Sequence, residues 1–228
     1  MNKGILIDMG DTLIHTNNMD FRKSFNYMYD LSKTCNCEKD YFLEYSYKVF
    51  KDIFYSRKYL EAKLIDFIRL LIETFNLSYD ISLEELEVKF AFESCDITKV
   101  NNVKEVLEHF KSKNYKIVVL SNTCFSRKAI VAMLDDLNQY FDEVIASSEF
   151  MVRKPYEAFF ELGISKFDIS RDNIYYIGND YYFDIYGSSR ANLKSVWLNE
   201  NNKEKNNNLK VSNYIEINDF IQLIEMDF

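Results

Sequence analysis

A doubly wound parallel α/β sheet, interrupted early by an all-helical insert, is the fold this sequence predicts, and three observations predict it. Short apolar runs rich in β-branched residues end abruptly in polar turns, beginning with Ile5 to Ile7, as strands buried on both faces do. From about Val103 onward such runs alternate with segments of helical period, the pattern of parallel strands joined by crossover helices. Between roughly residues 15 and 95 the period is helical alone. The chain therefore divides into a core of residues 1–14 and 96–228 and a helical unit of residues 15–95.

The elements follow in order. Ile5 to Ile7 is a central strand closed by Asp8, Gly10 and Asp11. Phe21, Phe25, Met28 and Leu31 recur at three-to-four spacing, as do Tyr41, Tyr45, Val49, Phe50, Ile53 and Phe54, each set marking one face of a helix. Leu60, Leu64, Phe67, Ile68, Leu71 and Phe75 predict a third helix, and Ser82 with Glu85 forms a capping box that opens a fourth through about Phe92. Val103 to Lys113 reads as a helix, and Tyr115 to Leu120 as a buried strand ending in Ser121 and Asn122. Helix near Ser126 to Leu134, strand at Val144 to Ala146, helix at Tyr156 to Phe167 and strand at Ile174 to Ile177 continue the alternation. Helix at Ile185 to Ala191, strand at Ser195 to Leu198 and a last helix capped by Asn218 and running to about Met226 complete it. The Asn- and Lys-rich run from Asn199 to Asn208 is a solvated loop.

Composition narrows the class. The 228 residues are 47% hydrophobic, enough for a sizeable core with a smaller insert. A formal charge of −8 without a long basic block argues against nucleic acid as a partner. An acidic chain can still bind an anion where a metal ion or a few cations reverse the local field. Cys35, Cys37, Cys95 and Cys124 lack zinc-site spacing, so reduced thiols are the expectation. No apolar run has the length of a signal peptide core or a membrane span. A soluble, cytoplasmic chain is predicted, with no membrane partner; the pattern assigns no oligomeric state.

Four loops carry polar side chains to the ends of predicted strands: Asp8 with Asp11, Ser121 with Asn122, Arg153-Lys154-Pro155, and Asn179-Asp180 with Asp184. A parallel sheet gathers such loops at one edge, where ligands of open α/β sheets bind. Each loop has a plainer reading: Asp8 as a turn or capping acid, Ser121 and Asn122 as helix caps, Lys154 as a surface lysine. Together they suit phosphoryl transfer to a carboxylate nucleophile. That reaction needs Mg²⁺ between two anions and a cation on the remaining phosphate oxygens. Mg²⁺ takes one or two carboxylates plus waters and phosphate oxygen, which Asp8 and Asp180 can supply.

The stretch Asp8-Met9-Gly10-Asp11-Thr12-Leu13, with Leu120-Ser121-Asn122, Lys154, and Gly178-Asn179-Asp180 through Asp184 and Gly187, resembles the four motifs of the haloacid dehalogenase-like hydrolase superfamily, in order and over nearly the whole chain. The resemblance implies a Rossmann-like core, a helical cap inserted after the first motif, and a Mg²⁺-dependent phosphatase of a small phosphorylated metabolite. It makes Asp8 the nucleophile and a metal ligand, Ser121 and Asn122 phosphate-binding residues, and Lys154 the cation steadying nucleophile and phosphate. The metal ligands it implies are Asp8, the Gly10 carbonyl, and Asn179 or Asp180, with Asp180 favoured here. Asp184 either orients the metal site or caps the helix after it.

Two departures from the family pattern bear on activity. Its phosphatases usually carry a second Asp two residues after the nucleophile to protonate the leaving group; here that residue is Gly10, and Asp11 follows it. Neighbouring residues point in different directions, so Asp11 is no replacement by position alone. Asn179 stands where an acid is expected. Losing a general acid costs roughly 10²–10⁴ in rate. Two further readings follow: carbon–halogen hydrolysis by Asp8, whose leaving halide needs no proton, or a non-catalytic descendant binding a phosphorylated ligand or a protein. Outside the motifs, Arg57 and Glu61 read as a solvated i,i+4 helix pair, and His15 as a hinge or packing residue.

Overall fold

A computed structural model describes residues 3–56, 60–226 and 228. In chain order its strands are β1 (Gly4–Ile7), β2 (Ile14–Asn17), β3 (Asp96–Lys99), β4 (Lys116–Ser121), β5 (Glu143–Ala146), β6 (Ile174–Gly178), β7 (Lys194–Leu198) and β8 (Tyr214–Ile217). Six of them form one sheet in the order β5-β4-β1-β6-β7-β8, parallel at every pairing. Ile5 lies opposite Ile117 of β4 and Tyr175 of β6. The connections leave β1 in opposite directions, so its carboxyl end is the switch point of the sheet, where crevices form.

Alternation along the central strands divides the core. Ile5, Ile7, Ile117 and Val119 face α5 (Val103–Ser112) and α6 (Arg127–Leu134), burying Val106, Leu107, Phe110, Ala129 and Ile130. Leu6, Val118, Leu120 and Ile145 form the other face, against Phe159 and Phe160 of α8 (Glu157–Ile164) and Ala191. Both faces are covered, as an all-parallel sheet requires.

Among the described residues, four helices separate β2 from β3: α1 (Phe21–Leu31), α2 (Lys39–Phe54), α3 (Leu64–Phe75) and α4 (Leu83–Ser94). Asp20 caps α1 through the Arg22 amide, and the Ser82–Glu85 box opens α4 as its sequence predicts. The helices close on an aromatic core. Phe21 and Phe50 have ring centroids 4.5 Å apart, and Phe25 meets Phe90 at 5.1 Å; such pairs add to simple area burial.

The structure departs from the sequence reading at several places. β2 and β3 pair antiparallel at the two ends of the helical unit, His15 opposite Thr98, where no strand was expected. Each of these four-residue strands holds a single apolar residue, Ile14 or Ile97, and β3 is largely exposed, so no apolar alternation betrays them. Edge strand β8 is hidden for the same reason, since only Ile217 of its four residues is buried. α3 starts at Leu64 rather than Leu60. The last segment is a short 3₁₀ turn, Phe220–Ile224, closed by Asp219 and Gln222 rather than by Asn218 as cap. A single helical turn, α7 (Ser147–Phe150), follows β5, and before α9 (Gly187–Arg190) the chain makes a π-type turn over Tyr181–Tyr186. No described helix is long and apolar enough to cross a membrane.

Candidate active site

Asp8 follows β1 directly, its amide bonded to the Ile177 carbonyl of β6 at 2.9 Å. Tight pairing on both sides therefore fixes the backbone that presents its carboxylate. Asp8, Gly10, Ser121, Asn122, Lys154, Asn179, Asp180 and Asp184 all line one cavity of about 230 Å³ at the carboxyl edge of the sheet. All four sequence-predicted loops converge there.

Lys154 is the centre of the arrangement. It is only 2% exposed, and its ammonium donates to Asp8 Oδ1 at 2.5 Å, Asp184 Oδ1 at 2.6 Å and the Tyr176 hydroxyl at 2.9 Å. Three protons meet three acceptors, which uses the donor capacity of an ammonium fully. Burial alone would lower its pKa, but Asp184 and Asp8 outweigh that and hold it above the ordinary lysine value. Asn122 explains how the lysine is aimed. Its amide nitrogen donates to the Lys154 carbonyl at 3.0 Å and its amide oxygen accepts from the Lys154 amide at 2.7 Å. The Asn122 side chain thus braces the Lys154 backbone while the residue also lines the cavity, a role its sequence position does not disclose. The Ser121 side chain lines the cavity wall.

Asp184 is buried beneath Lys154, accepting from it, from Tyr176 and, through Oδ2, from the Asp180 amide at 2.9 Å. Gly178 makes room for it: a Cβ there would sit 2.4 Å from Asp184 Cγ. Asp180 Oδ1 accepts from the Tyr182 and Phe183 amides at 2.8 and 2.7 Å, so Asp180 caps the following turn. Asn179 Oδ1 lies 3.4 Å from Thr12 Oγ1, which also donates to Asp8 Oδ2 at 3.1 Å. Thr12 thus links Asp8 to Asn179, while Asp180, favoured from sequence as a metal ligand, lines the same cavity with one oxygen engaged as a cap. Asp11 takes the left-handed conformation at φ 52° and pairs with His15 at 3.0 Å. It does not line the cavity.

One ammonium serves two buried carboxylates. Burial raises the Asp8 pKa from 3.8 to about 6, Lys154 pulling it down and Asp184 pushing it further up. This surplus negative charge, in a cavity that Gly10, Asn179 and Asp180 also line, is an oxygen-rich setting that fits Mg²⁺. Among the described residues no three His, Cys, Asp or Glu side chains converge as an all-protein metal cage; Mg²⁺ is bound through few carboxylates and keeps waters, so it needs none.

Sequence reasoning missed Tyr176, Thr12 and a second cluster beside the cavity. Glu61, expected on a solvated helix, precedes α3 and is 3% exposed; Arg57 lies outside the described residues. Glu61 Oε2 accepts from Ser147 Oγ at 3.0 Å and lies 3.7 Å from Arg153 Nε, while its amide reaches the Met151 carbonyl at 3.4 Å. The Arg153 guanidinium stacks on the cavity-lining Phe183 ring at 5.7 Å. The clasp ties the segment between α2 and α3 to the loop that carries Lys154. Glu61→Ala is expected to lower unfolding free energy by about 1–3 kcal/mol, read as a shifted urea midpoint at unchanged slope.

The model of the haloacid dehalogenase-like hydrolase family matches residues 5–198, and the chain belongs to that family. It is a hydrolase. The glyceraldehyde 3-phosphate phosphatase of Pyrococcus furiosus is 20% identical over 86% of this chain and 80% of its own length. Its Pyrococcus abyssi namesake is 23% identical over 48% of this chain, which spans less than half of that relative, 44%. A HAD phosphatase from Thermococcus onnurineus superposes with a TM-score of 0.63 at 19% identity, over 98% of this chain and 96% of its own. The putative HAD-hydrolase YfnB of Bacillus subtilis, bound to magnesium, gives 0.59 at 18%, over 98% and 97%. At these identities the structural likeness is one of fold.

Proposed function

We propose that this protein is a Mg²⁺-dependent phosphatase of a small phosphorylated metabolite, working through an aspartyl-phosphate on Asp8. The observation that carries the reading is the Asp8 carboxylate held at the switch point of the sheet, with Lys154 bonded to it inside a cavity that Ser121 also lines. The phosphatase names of the Pyrococcus relatives point the same way. An Asp8 oxygen attacks phosphorus, and the bond to the leaving oxygen breaks with its electron pair leaving on that oxygen. Water then attacks phosphorus, and the Asp8 carboxylate returns. Lys154 neutralises charge on the nucleophile and the transferring group, Ser121 hydrogen-bonds a phosphate oxygen, and Asp184, Tyr176 and Asn122 position the lysine.

Asp8, the Gly10 carbonyl and Asn179 would hold Mg²⁺, with Asp180 at its margin. When bound it screens the repulsion between carboxylate and phosphate. Residues 15–95 form the cap in this reading, and residues 1–14 with 96–228 the core. The test is hydrolysis of 4-nitrophenyl phosphate with Mg²⁺ and with chelator. Activity is expected with metal, and Asp8→Asn is expected to fall to the buffer blank. An active Asp8→Asn variant would remove the nucleophile assignment.

A further inference from the structure

We infer that Glu61, in the segment between α2 and α3, is a positioning residue of the catalytic cavity, bracing the two loops that carry Thr123 and Lys154. Its catalytic consequence rests on the phosphatase reading; the bracing itself does not. Residues 61–64 reach both loops through backbone and side chain alike. The Leu64 amide donates to the Cys124 carbonyl at 2.9 Å, and the Glu61 amide to the Met151 carbonyl at 3.4 Å. Glu61 Oε2 accepts from Ser147 Oγ at 3.0 Å and lies 3.7 Å from Arg153 Nε. Ser147, which opens α7, passes the contact on, since its Oγ accepts from the Thr123 amide at 2.9 Å. Thr123 lines the cavity with Ser121 and Asn122, and Arg153 directly precedes Lys154.

The Glu61 side chain is fully shielded from solvent, a position that a carboxyl group holds at a cost unless polar partners meet it. Ser147 has one hydroxyl proton and two acceptors within reach, Glu61 Oε2 at 3.0 Å and the Thr123 carbonyl at 3.1 Å. A carboxylate is the stronger acceptor, so Glu61 sets the rotor of this hydroxyl and leaves a lone pair on the Thr123 amide. Without Glu61 the proton turns to the Thr123 carbonyl, and the hold on the amide loosens. The second loop is braced at a strained point. Met151, whose carbonyl takes the Glu61 amide, lies in the left-handed region at φ 56°, a conformation that a non-glycine residue keeps where its surroundings impose it.

From the cavity side, Asn122 already bonds the loop after β4 to the Lys154 backbone. Glu61 braces the same two loops from the helical unit, so Lys154 and the stretch from Ser121 to Thr123 are fixed from two directions. Such bracing bears on rate, because a misplacement of about 1 Å caused far from the reacting atoms can cost about 10²-fold. Glu61 lines no part of the cavity; it acts through Ser147 and Arg153.

The experiment measures 4-nitrophenyl phosphate hydrolysis with Mg²⁺ by the full chain as wild type, Glu61→Ala, Glu61→Gln, Ser147→Ala and Ser24→Ala. Ser24 is the structural control: it is buried within the helical unit and donates to the Phe90 carbonyl at 2.8 Å. Glu61→Ala is expected to lower kcat by about 10–10²-fold, the loss falling on kcat more than on KM. Glu61→Gln keeps an oxygen for Ser147 and is expected to recover most of that loss, while Ser24→Ala keeps the wild-type kcat. Ser147→Ala removes the relay, is expected to reproduce the loss, and keeps the test decisive if Glu61→Ala fails to fold. Amide hydrogen exchange is the second readout. The Thr123 and Lys154 amides are expected to exchange faster in Glu61→Ala than in Ser24→Ala, each relative to the amides of β1 in the same protein. A wild-type kcat in the folded variants, or a loss matched by Ser24→Ala, would overturn the inference and leave the phosphatase reading standing. A wild type without Asp8-dependent turnover would overturn that reading instead. The exchange rates then decide alone, and unchanged Thr123 and Lys154 amides would overturn the bracing.

Discussion

Lys154→Ala is expected to abolish hydrolysis and to lower unfolding free energy by about 3–5 kcal/mol at neutral pH, the cost of breaking a buried ion pair from one side. The size follows from what the lysine leaves behind. Asp8 and Asp184 are 7% and 1% exposed and share this one ammonium. Without it two buried carboxylates face each other, and the Tyr176 hydroxyl loses a donor. Asp8, already raised by burial, then loses the cation that pulls it down and holds its proton more tightly folded than unfolded. A raised folded pKa contributes stability at low pH that is lost as pH rises. The defect is therefore expected to be smaller at pH 5 than at pH 7, in urea titrations of both proteins. Lys154→Arg is not expected to rescue it, because a planar fork cannot meet three converging acceptors as a point ammonium does. A Lys154→Ala protein within 1 kcal/mol of wild type at pH 7 would show that the buried charges are not coupled as the distances imply.

The site was legible in the sequence for a physical reason. Strands buried on both faces must be continuous apolar runs, so the polar residues ending Ile5–Ile7, Lys116–Leu120 and Ile174–Ile177 stand out, and a parallel sheet brings them to one edge. The central helices were legible through period and caps, as Ser82 and Glu85 illustrate. What stayed hidden depends on side-chain direction. Glu61 has the spacing of a solvated helix residue, yet the chain turns it inward onto Ser147 and Arg153. Asn122 beside Ser121 reads as a ligand-binding pair, and the two bonds it makes to the Lys154 backbone cannot be read from that position. Asp180 offers a carboxylate where Asn179 offers only an amide, and charge alone favours the former. The capping bonds that one Asp180 oxygen accepts from Tyr182 and Phe183 are invisible to that comparison. Strands β2, β3 and β8 escaped because pairing, not burial, holds them.

Asp8→Asn is expected to act in the opposite sense on stability: inactive, yet more stable than wild type by about 1–3 kcal/mol at pH 7 to 8 without metal, the upper figure being the free energy of two pKa units. The substitution removes one of two negative charges around Lys154 and leaves the matched pair with Asp184 at 2.6 Å. An amide keeps an oxygen for the ammonium and a polar group for Thr12. The pH dependence has a definite sign. Burial first, with Asp184 adding and Lys154 opposing, raises Asp8 from 3.8 to about 6. Stability that wild type holds below 3.8, where Asp8 is protonated both folded and unfolded, is lost as pH rises towards about 6. Thermal or urea unfolding of the two proteins is thus expected to differ little in acid, to diverge across that window, and to stay parallel above it. Mg²⁺ supplies the second arm. A ligand that binds only the folded state stabilises by mass action, so millimolar Mg²⁺ is expected to raise the wild-type midpoint and to leave Asp8→Asn nearly unmoved. Equal stability of the two proteins across the whole pH range would mean that the nucleophile position carries no surplus charge. The donor set would then have lost its physical reason to call for a divalent cation.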